Sequence, residues 1–270
     1  MSDNKVIAIK DELQKWRDDR RRKYSRFTLA ALSGIPWVGG FLSASASFQA
    51  EADQQRINLL KQQWLEEHQR RLEELGRTLA GIVERLEQLG EEADRRIEDP
   101  SYLKLVADGF RIWDEAATEK KRKIVQNILE NAGGTTICSD DVVRLFLEWI
   151  ESYHELHFAV IREIYQSPGI SRGQIWQNIY GELRPESSPE ADLYRLLIRD
   201  LSTGGVIRQH RETTYDGQFL KKGGRAPATR TMKSAFDLQD PYELTELGRQ
   251  FVHYTMTELV PRIGGGAEAP

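Results

Sequence analysis

The sequence predicts a mainly α-helical chain: an N-terminal helical hairpin with coiled-coil character, a helical core, and a C-terminal module that mixes short helices and strands. Three observations predict it. Apolar residues recur at steps of 3 and 4 through most of the first 150 positions. Residues 27–50 carry no ionisable group, although 30% of the chain is charged. From about position 153, short apolar runs punctuated by Pro and Gly replace the long amphipathic pattern. The chain divides accordingly into a hairpin over 1–98, a core over 99–152, a module over 153–260 and a disordered tail over 261–270.

The hairpin begins with Val6, Ile9, Leu13 and Trp16, one stripe of a helix whose other faces are charged. Arg20, Arg21, Arg22, Lys23 and Arg26 follow, and then charge stops. The uncharged stretch could span a bilayer by length. Its content argues for two short apolar helices around a bend, because Gly34, Pro36, Gly39 and Gly40 interrupt the middle. Its residues Leu29, Leu32, Ile35, Pro36, Trp37, Val38, Phe41 and Leu42 are the candidate membrane or oligomer segment. Three readings are open: a buried hairpin tip, a membrane-active hairpin or re-entrant insertion, and a signal peptide cut near Ala44. The long, acidic leader fits the last one poorly.

Leu72, Leu75, Leu79, Ile82, Leu86, Leu89 and Ala93 then form a heptad seam, expected to run on until Asp99-Pro100 stops the helix. Two partners fit the seam: the Val6–Trp16 stripe folded back on it, or another copy of the chain. In the core, Ser101 is expected to cap a helix burying Tyr102, Leu105, Val106, Phe110 and Trp113. Thr118 opens a helix with Ile124, Val125, Ile128 and Leu129 inward, ending at Asn131–Gly134. Ser139-Asp140 caps a third, with Val142, Val143, Phe146, Leu147 and Ile150 inward.

In the C-terminal module a helix near Glu155–Tyr165 is followed by the turn Ser167-Pro168-Gly169, and Ile170-Ser171 leads into a short helix with Ile175, Trp176 and Ile179. After Pro185–Pro189 comes a helix expected to bury Leu193, Leu196, Leu197 and Leu201. Gly204-Gly205-Val206-Ile207 leaves it into a strand, and Tyr242-Glu243-Leu244-Thr245-Glu246-Leu247-Gly248 opens a last helix with Phe251, Val252 and Leu259. Over about 100 residues this order resembles the winged helix–turn–helix superfamily, in which a Gly-Gly-Val-Ile exit leads into the wing and Leu-Thr-x-x-Gly begins the next helix. The resemblance implies a nucleic-acid reader or a sensing and docking module. The segment between the wing strands, about 208–240, is longer than that family's pattern.

Charge weighs both ways on nucleic acid. A net charge of -4 excludes a globally basic binder. The candidate recognition helix offers Arg195 and Arg199 beside Glu190, Asp192 and Asp200. The wing is richer: Arg208, Arg211, Lys221, Lys222, Arg225, Arg230 and Lys233 outnumber Glu212 and Asp216 seven to two. Residues 1–135 also resemble, in layout, bacterial accessory proteins of mobile or phage-defence regions, through Gly34–Gly40 and the block from Pro100 to Asn131. That resemblance brings no assigned activity.

Chemistry is sparse. Glu151, His154 and His157 stand at i, i+3 and i+6, but no second Glu-x-x-His completes a di-iron site, and a hydrogen-bonded histidine pair is the plainer expectation. Cys138 stands alone, so an internal disulfide is excluded. No nucleophile elbow or phosphate-binding loop is present. The expectation is a non-enzymatic effector or adaptor without metal or cofactor, defence-related by resemblance. It would be cytoplasmic, at the inner face of a membrane where the apolar segment meets lipid, and would partner with itself, a membrane surface or a protein. The alternative is a winged-helix, DNA-binding regulator that oligomerises through its N-terminal helices.

Overall fold

The computed structural model describes residues 24–38, 54–135, 137–182, 184–210, 234–238 and 240–255. Among them the chain is mainly helical with one small three-stranded sheet. It divides into two units, Met1–Glu151 and Ser152–Pro270. The expected Val6–Trp16 helix, the second half of the bend with Phe41 and Leu42, residues 211–233 of the wing, Leu259 and the tail lie outside the described residues.

In the first unit, helix α1 (Ser25–Ser33) lies on α4 (Pro100–Glu115). Their approach is close enough that a Cβ on Gly34 would overlap the carbonyl oxygen of Ala107. Phe27, Ala31, Ile35 and Val38 are buried there, and Phe27 stacks on Tyr102 with ring centroids 6.4 Å apart. Helix α2 (Gln54–Leu89) carries the heptad seam, with Leu75, Leu79, Ile82 and Leu86 buried. The seam packs on α5 (Glu119–Gly134), a helix of the same chain that neither sequence expectation named. Leu86 and Leu89 close over Gly133 and Gly134, where an added Cβ would push their methyl ends, and at Gly133 the Tyr102 hydroxyl, aside.

Two expected boundaries are corrected. The seam helix does not run to Asp99: it breaks at Gly90, whose φ of 75° only glycine adopts freely, and restarts as α3 (Glu91–Arg96). The cap of α4 is Asp99, not Ser101; its carboxylate accepts the Ser101 amide at 2.9 Å, with Pro100 in the first turn where a missing N–H costs nothing. The same amide, with Arg96 beside it, holds Asp99 below the usual carboxylate range against a pull from burial. Thr118 caps α5 as expected, accepting the Lys121 amide at 3.3 Å. Arg96 draws the unit together: its guanidinium pairs with Asp99 and with Asp140 at the start of α6 (Asp140–Ser152), donates to the carbonyl of Ala132, and lies over the Tyr102 ring.

In the second unit α7 (Glu155–Gln166) precedes strand β1 (Ile170–Ser171), helix α8 (Arg172–Tyr180), helix α9 (Pro189–Thr203), strands β2 (Ile207–Gln209) and β3 (Pro241–Leu244), and helix α10 (Glu246–Thr255). The sheet is antiparallel in the order β1-β3-β2, with Ile170 opposite Tyr242 and Ile207 opposite Leu244. Ser171 caps α8 in a reciprocal box with Gln174. Thr245 ties the exit of α9 to the start of α10: its hydroxyl donates to Gly205 O at 2.6 Å and accepts the Gly248 amide at 2.9 Å. Gly248 sits so close to Val206 O that a Cβ would overlap it.

Gly34→Ala tests the close packing of the first unit. The added methyl meets rigid backbone, so thermal or denaturant unfolding should show a loss of about 1–3 kcal/mol. Gly76→Ala, at a helical glycine with open space around its Cβ, should be neutral or stabilising by up to about 1 kcal/mol.

Candidate functional site

The apolar segment is held by protein over its described part. Ile35 and Val38 are buried, while Leu32 and Trp37 are half-buried. Among the segment's described residues Leu29 is 66% exposed, and Pro36 beside Trp37 is also exposed. Trp37 is pinned on several sides. Its indole Nε1 donates to Asp114 Oδ1 at 2.8 Å, its ring lies 5.1 Å from that of His68 and 5.6 Å from that of Trp64, and the Arg71 guanidinium sits over it. Arg71 also pairs with Asp114 at 3.1 Å, so one carboxylate serves both groups. No helix of the described residues is long and apolar enough to cross a membrane.

Helix α9 differs from its expectation. Its buried stripe is Ala191, Tyr194, Leu197, Ile198 and Leu201; Leu193 and Leu196, expected in the core, are 43% and 40% exposed. The helix is apolar on most sides, so spacing alone did not choose the inward face. The aromatic cluster chose it: Tyr194 meets Trp176 at 5.2 Å and Phe236 at 6.0 Å, and its hydroxyl donates to Arg172 O at 2.8 Å. That turns Leu193 and Leu196 to solvent. The run Ala191, Tyr194, Ile198, Leu201 at steps of 3 and 4 was the signal in the sequence that could have found it.

Of the described basic candidates, Arg195 and Arg208 are closely paired with carboxylates. Arg195 pairs with Glu186 and, at 2.7 Å, with Asp192. Arg208 Nε meets Glu243 Oε1 at 2.7 Å, and His210 Nδ1 meets the other oxygen at 2.9 Å. Against an upward pull from burial, hydrogen bonds from His210 and Arg208 hold Glu243 below the usual range, so it stays charged beside them. Arg199 faces solvent, 3.9 Å from Asp200. Arg211, Lys221, Lys222, Arg225, Arg230 and Lys233 lie outside the described residues.

Glu151, His154 and His157 do not share a helix, which corrects the i, i+3, i+6 expectation: α6 ends at Ser152 and α7 begins at Glu155. Among the described residues no group of three or more His, Cys, Asp or Glu side chains is placed to hold a metal ion. Glu151 instead takes Arg111 through both carboxylate oxygens, at 3.1 and 3.3 Å. His157 is 3% exposed; its Nδ1 accepts the His154 amide at 3.0 Å and its ring stacks 4.8 Å from Tyr153. That bond leaves the proton of the neutral ring on Nε2, which faces Asp200 Oδ2 across 3.8 Å. Cys138 is buried at the approach to α6.

No protein-family model, curated protein or solved structure matches the chain.

Burial pulls His157 below its ordinary value of 6.5, and the facing Asp200 only partly offsets this. A histidine depressed in the folded state takes up its proton more readily unfolded, so stability rises with pH through that interval. Stability should therefore be full above pH 6.5 and fall as pH drops below it, levelling off once the folded ring is protonated. His253 is lowered by burial too and adds to the same slope. Urea unfolding from pH 8 to pH 5 measures the slope, and His157→Gln should flatten part of it.

Proposed function

We propose that the chain is a non-enzymatic adaptor whose second unit is a winged-helix module that docks protein. The order α7, β1, α8, α9, β2, β3, α10 and the sheet order β1-β3-β2 support the winged-helix reading. So does the joint at Gly205, Val206, Thr245 and Gly248, built from the residues that carried the resemblance. The observation that carries docking is the solvent face of α9. A reader of DNA places basic and amide side chains on the face that enters the groove. Here that face presents Leu193 and Leu196 with two carboxylates, Asp192 and Asp200, against one described cation, Arg199. Leucine offers a phosphate or base edge nothing, and each carboxylate repels the backbone. Both features suit an apolar anchor with a polar rim, the anatomy of a protein interface.

The burial of Phe27, Ile35 and Val38 and the pinning of Trp37 support reading the uncharged segment as a protein-packed anchor over its described part. On this reading the first unit is a scaffold that holds the segment out of water, and the second unit presents the docking face.

Two measurements test the proposal. A gel-shift titration against duplex DNA at several salt concentrations should show no retention; binding whose affinity falls steeply with salt, and which Arg199→Ala weakens, would restore the DNA-binding alternative. Carbonate extraction of cell membranes should leave the intact chain in the supernatant, whereas a chain that stays with the pellet belongs to the membrane reading.

A further inference from the structure

The exposed face of α9 has an order of charge that fits itself. Asp192, Leu196 and Arg199 stand at i, i+4 and i+7, one stripe of the helix reading acidic, apolar, basic. Leu193 widens the apolar part on one side. Both charged ends reach solvent, with 72% of each side chain exposed. Asp192 engages Arg195 through Oδ1, and Arg199 lies 3.9 Å from Asp200. A stripe of this order is complementary to the same stripe run antiparallel.

We propose that this face is where two copies of the chain meet, α9 lying antiparallel on its twin about a two-fold axis beside Leu196. This rests on the docking reading and names its partner. In that arrangement Leu196 meets Leu196 of the second copy, and Leu193 of each flanks the contact. Asp192 of each copy comes within one residue's rise, about 1.5 Å, of Arg199 of the other, on the same flank, so the axis makes the ion pair twice. A second copy fits better than a basic or an acidic segment, because either would satisfy one end of the stripe and repel the other. One helix face is smaller than the roughly 1,200 Å² of total burial that stable interfaces start from, so the association is weak and concentration-dependent.

Light scattering and sedimentation of the intact chain, from low to high micromolar concentration, should show a reversible monomer–dimer equilibrium. Asp192→Arg and Arg199→Asp each place like charges opposite one another and should weaken it about tenfold. Carrying both changes in one chain restores the complementarity and should recover dimerisation. An equimolar mixture of the two single variants should associate more tightly than either variant alone. Both substituted positions are at the surface, and circular dichroism checks that each variant is folded. A chain that is monomeric throughout, a dimer insensitive to both reversals, or a double reversal that fails to recover overturns the proposal. If such a chain also binds no nucleic acid, the docking reading stands and only its partner is wrong. Salt-dependent DNA binding lost on Arg199→Asp removes both.

Discussion

The contact between the backbone of Gly34 and the carbonyl of Ala107 sets the arrangement of the first unit. Only a residue without a Cβ lets α1 come that close to α4. The approach brings α1 onto α4, where Phe27, Ala31 and Ile35 are buried and Phe27 stacks on Tyr102. Fully burying a large apolar side chain is worth roughly 1.5–3 kcal/mol, so a few such residues hold an uncharged segment against its own loss of conformational freedom. Polar bonds then fix its position. Trp37 reaches Asp114 at the far end of α4, and Arg71 of α2 reaches the same carboxylate. An indole N–H buried beside a carboxylate has to be paired, so the bond specifies where the segment ends as well as adding stability.

A comparable joint governs the second unit. The chain leaves α9 through Gly204 and Gly205, the latter at a φ of 74°, and must turn at once into β2. The Thr245 hydroxyl gathers the loose ends, Gly205 O on one side and the Gly248 amide on the other, while the Thr245 amide donates to Val206 O at 3.0 Å. The roll of α9 about its own axis is fixed at the other end of the unit. There Tyr194 is wedged between Trp176 and Phe236, and Glu186 collects Arg195, Ser234 and the Ala235 amide. The proposed docking face is the side these contacts leave over.

Much of this was legible from residues alone. The stripes of α4 and α5, the Thr118 cap, the turn at Ser167–Gly169 and the module's order of elements follow from local periodicity and turn chemistry, and local physics decides them. The break at Gly90 was less so. Gly76 and Gly81 sit inside the same helix without breaking it, so glycine alone did not say which of the three would take a positive φ. The partner of the heptad seam was not legible, because a seam states that it needs an apolar face and not whose. The inward face of α9 escaped for a related reason. Two overlapping apolar stripes shared one helix, and only the position of Trp176 and Phe236 decided between them.

The sequence by itself determined that the chain is mainly helical, that a stretch near the N-terminus is kept from water, and that the C-terminal part mixes short helices with a small sheet. Periodicity, glycine and proline placement and the absence of charge are local properties, and each acts within a few residues. Tertiary structure decided which surface covers the uncharged stretch, which carboxylates neutralise Arg195 and Arg208, and which leucines of α9 face solvent. Those outcomes depend on groups far apart in the chain competing for the same neighbour, and packing settles that competition only once all of them are present.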